Sequence, residues 1–436
     1  MAQIAFLILL SIAAFFVVKR FRFVRRNILL GRKISLEGDK KDRWNSMFLV
    51  ALGQGKMFTR PLAAIMHLFI YVGFVIINIE IIEILIDGIF GTHRVLSFLG
   101  PVYSFLIASF EILALLVLVA CVVFLARRNI INIKRFHMRE MTSWPKSDAN
   151  LILIAEVFIM SAFLLMNASD QQLQKLGVDH YAAVGSYPVS SLLLPMIEGW
   201  SESTLIFVER FTWWFHIVAI FAFMVYITYS KHLHIILAFP NTYYSKLQPA
   251  GYLDNLESVT REVKLMLDPN ADPFSAPADG ATPARFGAKD VFDLSWVQLM
   301  GAYSCTECGR CTSECPANQT GKLLSPRKIM MDTRDRMEEI GKIMDANGGE
   351  WKDDGKALIG NFITEEELWA CTCCNACTQA CPVNINPLEI IIDLRRYLIL
   401  EESKSPESIK VMFTNIENNG APWAFPASER AAWRNA

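Results

Sequence analysis

Cysteine is nearly missing from the first 304 residues of this 436-residue chain. Only Cys121 occurs there, in an apolar run where a free thiol packs as an inert small side chain. The other nine cysteines lie between 305 and 381, too concentrated to be general core filler. A surplus of charge is missing too: Lys and Arg number 42 against 43 Asp and Glu, a net charge of −1, so nothing in the balance points to nucleic acid. There is no long low-complexity segment and no repeat beyond two cysteine runs. No cluster of basic residues precedes the first apolar run, as it would in a cleaved signal peptide. Histidine is scarce enough, at seven, for each to be weighed singly.

What is present is a duplicated ligand pattern. The first run is Cys305, Cys308, Cys311 and Cys315 followed by Pro316. The second is Cys371, Cys374, Cys377 and Cys381 followed by Pro382. Each is C-x2-C-x2-C-x3-C-P, the run that holds a [4Fe–4S] cubane. Three cysteines at two-residue intervals wrap three corners of one cube, and the fourth, carried off by a proline-terminated turn, ligates the other cube. The expected sets are Cys305, Cys308, Cys311 and Cys381 for one cluster, and Cys371, Cys374, Cys377 and Cys315 for the other. Zinc sites use CxxC pairs instead of two matched sets of four, and disulfides need an oxidising compartment. Cys373 has no place in the pattern and is read as a bystander.

The hydrophobic fraction of 53% and mean hydropathy of +0.30 are high for a soluble protein, and the apolar residues concentrate before about residue 240. Five spans are expected: 3–18, Pro61 to about Ile79, about Gly100–Ala126, about Ala149–Ala168, and Phe211–Ser230. Glu80, Glu83 and Asp87 are read as marking the outer surface after the second. Lys19 to Arg26 and the loop Arg127–Lys146 carry the positive charge, which predicts an outside N-terminus and a cytoplasmic C-terminal half, in a bacterial inner membrane. Residues 41–58 read as an amphipathic helix on the inner surface.

The expected fold is mainly α, with a five-helix transmembrane bundle (1–240) and a linker with short helices (241–300). An α-helical two-cluster ferredoxin-type domain (301–402) and a tail for partner docking (403–436) follow. Helices are expected at Pro326–Ala346 and Pro387–Glu401, and a Thr364/Glu367 capping box before the second cysteine run.

His216 and His234 are 18 residues apart, five full turns of one helix, and would face one neighbour from opposite ends of the fifth span. His232 falls on nearly the opposite face. His67 lies level with His234. Histidine inside a membrane helix is costly and marks function, and axial ligation of a b-type haem is the use that fits. An inner haem between His67 and His234 is expected. An outer one would pair His216 with His93 from the loop Gly91–Arg94, because Ile77 stands where a second-span ligand belongs. The alternatives are a helix-packing His67 and an exposed His93. His137 and His180 are read as loop residues. Glu111 and Glu156, inside the third and fourth spans, are either a proton path to a quinone or protonated packing groups. Trp213 and Trp214 read as an aromatic belt, and Arg310 and Lys322 as a solvated face.

The stretch Trp214–His216 through Ser230–Ile235 resembles the fifth helix of the respiratory nitrate reductase gamma subunit, a five-helix dihaem cytochrome b. That family carries two haem-ligating histidines on its second helix, and only His67 matches here. The cysteine half resembles the ferredoxin part of the D-type heterodisulfide reductase subunits, and the tail Asn418–Trp423 with Arg430 and Trp433 resembles the segment before their cysteine-rich CCG domains. The resemblance implies a chain without CCG domains that serves a separate CCG-type or other soluble redox subunit. The resulting expectation is a membrane-anchoring electron-transfer subunit of a quinone-linked oxidoreductase. It would pass electrons between menaquinone or another quinone, one or two b haems and two [4Fe–4S] clusters. The rivals are a haem-free tethered ferredoxin, and a proton-translocating or sensor protein.

Overall fold

The computed structural model describes residues 2–181, 183–249, 251–270 and 285–435. Five helices are long and apolar enough to cross a membrane: α1 (Ala2–Ile28), α2 (Pro61–Phe90), α3 (Pro101–Asn129), α4 (Ser143–Leu176) and α5 (Glu202–Ile227). Proline occupies the first turn of α2 and α3, where its missing N–H costs nothing. Left-handed Gly91 and Gly177 stop α2 and α4. Each helix packs on its neighbour in sequence, and α5 packs back on α1, closing the bundle.

α2 runs on to Phe90, past its expected end near Ile79, and polar groups of the following loop pack against its last turns. Glu80 and Glu83 therefore do not mark a surface: they are 5% and 4% exposed. Glu83 accepts from Leu96 N at 2.8 Å and from Tyr103 Oη at 3.1 Å. Arg94 reaches in beside them to Asn167 at 3.0 Å and pairs with Asp170 at 2.5 Å. The amphipathic helix expected over 41–58 is broken into Lys40–Met47, a π turn at Phe48–Leu52 and a 3-10 turn at Gly55–Thr59.

The largest correction concerns the fifth span. α5 ends at Ile227, and Lys231–Leu233 forms a 3-10 turn before a separate helix, α6 (His234–Tyr243), begins. Thr228 and Ser230 hydroxyls donate to the carbonyls of Val225 and Ile227, and Ser230 caps the new turn by accepting from His232 N. His216 and His234 are thus not on one helix, and the periodicity that set His232 on another face does not apply.

The second unit is a helical layer over the basic end of the bundle. Its main elements are α7 (Trp296–Ser304), α8 (Pro326–Ala346), α9 (Pro387–Leu400) and α10 (Glu407–Asn419). The Thr364 capping box forms as its sequence predicts. Ala288, Val291, Leu294 and Leu299 are fully buried in its core, so the region 241–300 is not all linker. Pro273, Pro277 and Pro283 of that stretch lie outside the described residues. Val24 and Ile28 of α1 and Leu233 and Leu237 join the same core, tying the two units together. Arg20–Glu338 at 2.6 Å and Arg327–Glu140 at 2.7 Å add ion pairs across the junction.

Gly31 permits this close approach: a Cβ there would stand 2.6 Å from Trp296 N and 2.9 Å from Leu294 O, both backbone. Gly31→Ala is expected to destabilise the docked arrangement by about 1–3 kcal/mol, seen as a lower unfolding temperature in detergent. An unchanged melt would show that the loop has room to shift.

Candidate iron–sulfur and histidine sites

The two cysteine loops share one backbone device. Glu307 and Gly309 in the first, and Cys373 and Asn375 in the second, have left-handed φ of 54°, 71°, 56° and 60°. These are the same two places in each loop, where the chain must curl to turn three thiols inward. Cys373 is therefore the counterpart of Glu307. Its backbone N–H donates to Cys371 Sγ at 3.4 Å, and Arg395 donates to its sulfur at 3.5 Å.

The structure brings Cys305, Cys308, Cys311 and Cys381 around one small cavity, closed by Met330, Pro382 and Pro387. Cys315, Cys371, Cys374 and Cys377 form a second group whose charges influence one another. The fourth cysteine of each run has crossed to the other group. The short helices Arg310–Ser313 and Ala376–Ala380 pack together, and Cys377 lies within electrostatic reach of Cys311. Burial pushes the thiol of Cys305 up to about 12, and those of Cys371, Cys377 and Cys381 up to about 11. Such thiols hold their protons unless a cation replaces them. Among the described residues no three His, Cys, Asp or Glu converge on a single-ion position. Four thiols spaced around a void suit the corners of a cubane instead. The second group opens to solvent at Cys374, whereas Cys305 is buried.

The first group faces the bundle. Arg310 is 4% exposed, not on a solvated face. It donates to Lys56 O at 3.3 Å and lies within electrostatic reach of Cys308, Cys381 and His67. Lys322 is exposed as expected. Beyond Arg310 the His67 and His234 ring centres are 6.4 Å apart. His67 Nδ1 bonds Gln54 Oε1 at 3.1 Å, and His234 Nδ1 donates to Lys231 O at 3.1 Å. Acceptors on both Nδ1 atoms leave both Nε2 lone pairs free. His232, set aside in the sequence, stands 5.3 Å from His234 ring to ring. The Ser230 cap before it was the sequence signal for the helix break that puts it there.

At the other end, His93 does not face His216. Its ring lies 4.9 Å from that of His180, tilted, and 5.5 Å from that of Tyr181, edge-on, and its Nε2 is 3.9 Å from Asp170. Tyr181 bonds Glu209, which lies two turns, about 10 Å, along α5 from His216. His216 is 3% exposed, packs on Phe163 and donates from Nδ1 to Ile159 O at 3.1 Å. Glu111 is fully buried and accepts from Asn167, Val189 N and Ser190 N at 3.2, 2.9 and 3.1 Å, which makes it an anchor for the loop that follows α4. Glu156 takes no side-chain hydrogen bond among the described residues. Trp213 packs against Phe6 and Trp214 inside the α1–α5 contact.

Fold and site together define a class: a bundle of membrane-length helices carrying a two-cluster iron–sulfur domain. Residues 301–385 match the family described as 4Fe-4S dicluster domain. The chain is 30% identical to the probable iron-sulfur-binding oxidoreductase FadF of Bacillus subtilis, over 99% of this chain and 60% of that protein. It is 23% identical to the EtfAB:quinone oxidoreductase of Syntrophomonas wolfei, over 89% of this chain and 53% of that one. Over 34% of this chain and 24% of the relative, it is 32% identical to a probable membrane-anchored ferredoxin of Chromohalobacter salexigens. The chain spans about half to three-fifths of the length of the first two relatives. No solved structure matches it. The domain is thus a 4Fe–4S carrier on a membrane-type helix bundle, and its relatives support an electron-transfer role.

Proposed function

We infer that the chain conducts electrons between a quinone in the membrane and a soluble redox partner. The observation that carries this reading is the order of the sites: the inner histidine pair, then Arg310, then the cysteine group around the buried Cys305, then the group that opens to solvent at Cys374. Cys305, Cys308, Cys311 and Cys381 ligate the first cluster; Cys371, Cys374, Cys377 and Cys315 ligate the second. His67 and His234 would hold a b-type haem, which supplies one-electron transfer when bound. Their Nδ1 acceptors fix both rings with Nε2 available.

These groups supply one-electron transfer, and the protein's part is to place and insulate them. Gln54, in a left-handed conformation (φ 50°) and 6% exposed, aims His67. Main-chain N–H groups bond Cys371 and Cys381 sulfurs, a lever on cluster potential. The exposed Cys374 of the second group serves a soluble partner, a CCG-type subunit or domain by resemblance. The quinone is menaquinone or a relative. The iron–sulfur unit packs on the bundle end that carries Arg20, Arg26 and Arg135, which supports a cytoplasmic placement in a bacterial inner membrane. His93, held by Asp170 and His180, is not part of a haem site in this reading, so one haem per chain is expected.

A dithionite-reduced minus oxidised spectrum with a pyridine-haem assay tests this. His67→Ala should take haem from about one per chain to about none while cluster iron stays constant. Unchanged haem in that variant would remove the inner pair from the proposal, and a wild type without haem would leave a tethered two-cluster ferredoxin.

A further inference from the structure

Lys231 makes contacts on both sides of the boundary between bundle and iron–sulfur unit. It lies in the turn between α5 and α6, directly after the Ser230 cap. Its backbone oxygen accepts from His234 Nδ1 at 3.1 Å. Its side chain leaves the bundle and meets Glu307 Oε2 at 2.5 Å, with a second bond to Pro145 O at 2.7 Å. Asp148 stands 3.8 Å away. Glu307 is the left-handed residue that curls the first cysteine loop between Cys305 and Cys308. Its other carboxylate oxygen pairs with Arg334 at 2.7 Å, and its backbone oxygen accepts from Arg327 at 3.3 Å. The Lys231 and Glu307 side chains are only 9% and 3% exposed, so water screens the pair weakly. The contact is a fixed ion pair within two residues of two cysteines of the first group and three residues before His234.

We propose that Lys231 is a positioning residue that couples the inner histidine pair to the first cluster. Its backbone oxygen aims the His234 imidazole, and its ammonium group pins the loop carrying Cys305 and Cys308. This rests on the reading of His67 and His234 as the membrane redox site. In the coupled step one electron leaves the membrane site and arrives at the first cluster. No bond forms or breaks and no proton moves, so the rate depends on separation and on the potential difference, and Lys231 acts on both. Its positive charge beside the cysteine loop favours the cluster state with one more electron. Losing it leaves the Glu307 carboxylate less compensated in a buried place, which lowers the potential of the first cluster and not of the second, on the far side of Cys311.

The test uses the full chain in detergent or nanodiscs, as wild type, Lys231→Met, Lys231→Arg and Glu307→Gln. Iron and haem contents are measured first, then each cluster's potential by titration followed with electron paramagnetic resonance, then electron exchange between haem and clusters by rapid mixing. Lys231→Met is expected to keep both clusters, to lower the potential of the first alone, and to slow electron exchange between haem and clusters. Lys231→Arg should restore the potential. A first-cluster potential unchanged in Lys231→Met overturns the proposal, and so does an equal fall in both clusters, which would mean general loosening. Should Lys231→Met assemble no clusters, Glu307→Gln decides: the first-cluster potential rises if the pair acts as described, and an unchanged value overturns it. A wild type without haem defeats the reading of the histidine pair, whereas a potential that stays put in Lys231→Met defeats the role of Lys231, so the two failures are distinct.

Discussion

Replacing Cys381 with alanine is expected to abolish the first cluster and spare the second, although Cys381 belongs to the second cysteine run. The reason is the crossing of the fourth cysteines: Cys381 lines the cavity of Cys305, Cys308 and Cys311, while Cys315 has joined Cys371, Cys374 and Cys377. Iron should fall from about eight to about four atoms per chain. The magnetic interaction between two reduced clusters should vanish, leaving the signal of an isolated one. Cys315→Ala is the mirror experiment and should spare the first cluster. The two survivors should differ in reactivity. The one left by Cys381→Ala contains the exposed Cys374 and should bleach quickly with an iron chelator, whereas the one left by Cys315→Ala has Cys305 buried and its other three thiols half-buried, and should bleach more slowly. If each alanine removed the cluster of its own run, the crossing would be wrong, and the four-thiol cavity would need another explanation.

Arg336→Ala is expected to cost about 3–5 kcal/mol, the largest effect of any single change outside the clusters. The Arg336 side chain is fully buried in α8. It donates to both Asp290 oxygens at 2.8–3.1 Å, to Asp354 at 2.6 and 3.0 Å, and to Lys356 O at 2.8 Å. Removing it leaves two carboxylates and a carbonyl facing each other with little water. Asp290 also caps the turn at Val291–Asp293 that leads into α7 and the first cysteine loop, so the damage should spread to that cluster. Loss of cluster absorbance on heating measures this; a midpoint within a degree or so of wild type would show that water fills the gap. Arg336→Met with Asp290→Asn should recover part of the loss, because removing both signs leaves fewer stranded charges.

What was legible in the sequence was local. Five runs of about 20 apolar residues announce five membrane-length helices, because a helix must bury its own backbone polar groups in lipid whatever its neighbours do. The paired C-x2-C-x2-C-x3-C-P runs name the cluster type, because the spacing is set by the cube and not by the rest of the fold. The Thr364/Glu367 capping box was readable for the same reason: its hydrogen bonds close within three residues.

Tertiary structure decided what depends on partners distant in sequence. Glu80 and Glu83 look like surface markers by sequence, yet Arg94, Tyr103 and the Leu96 amide satisfy that buried corner from another segment. The sequence leaves Glu111 open between a proton path and a packing group, and only the fold shows that loop amides 78 and 79 residues away are its donors. Arg310 looks like a solvated charge until Lys56 and Met57 fold over it. The helical periodicity that linked His216 to His234 assumed one unbroken helix. The break at Thr228–Ser230 ends that register, brings His232 beside His234, and turns Lys231 toward Glu307 of the first cysteine loop. Composition and spacing determined which chemical groups this protein uses. Only packing decided which of them meet, because burying a charge or an imidazole is tolerable only where a partner from elsewhere in the chain arrives to meet it.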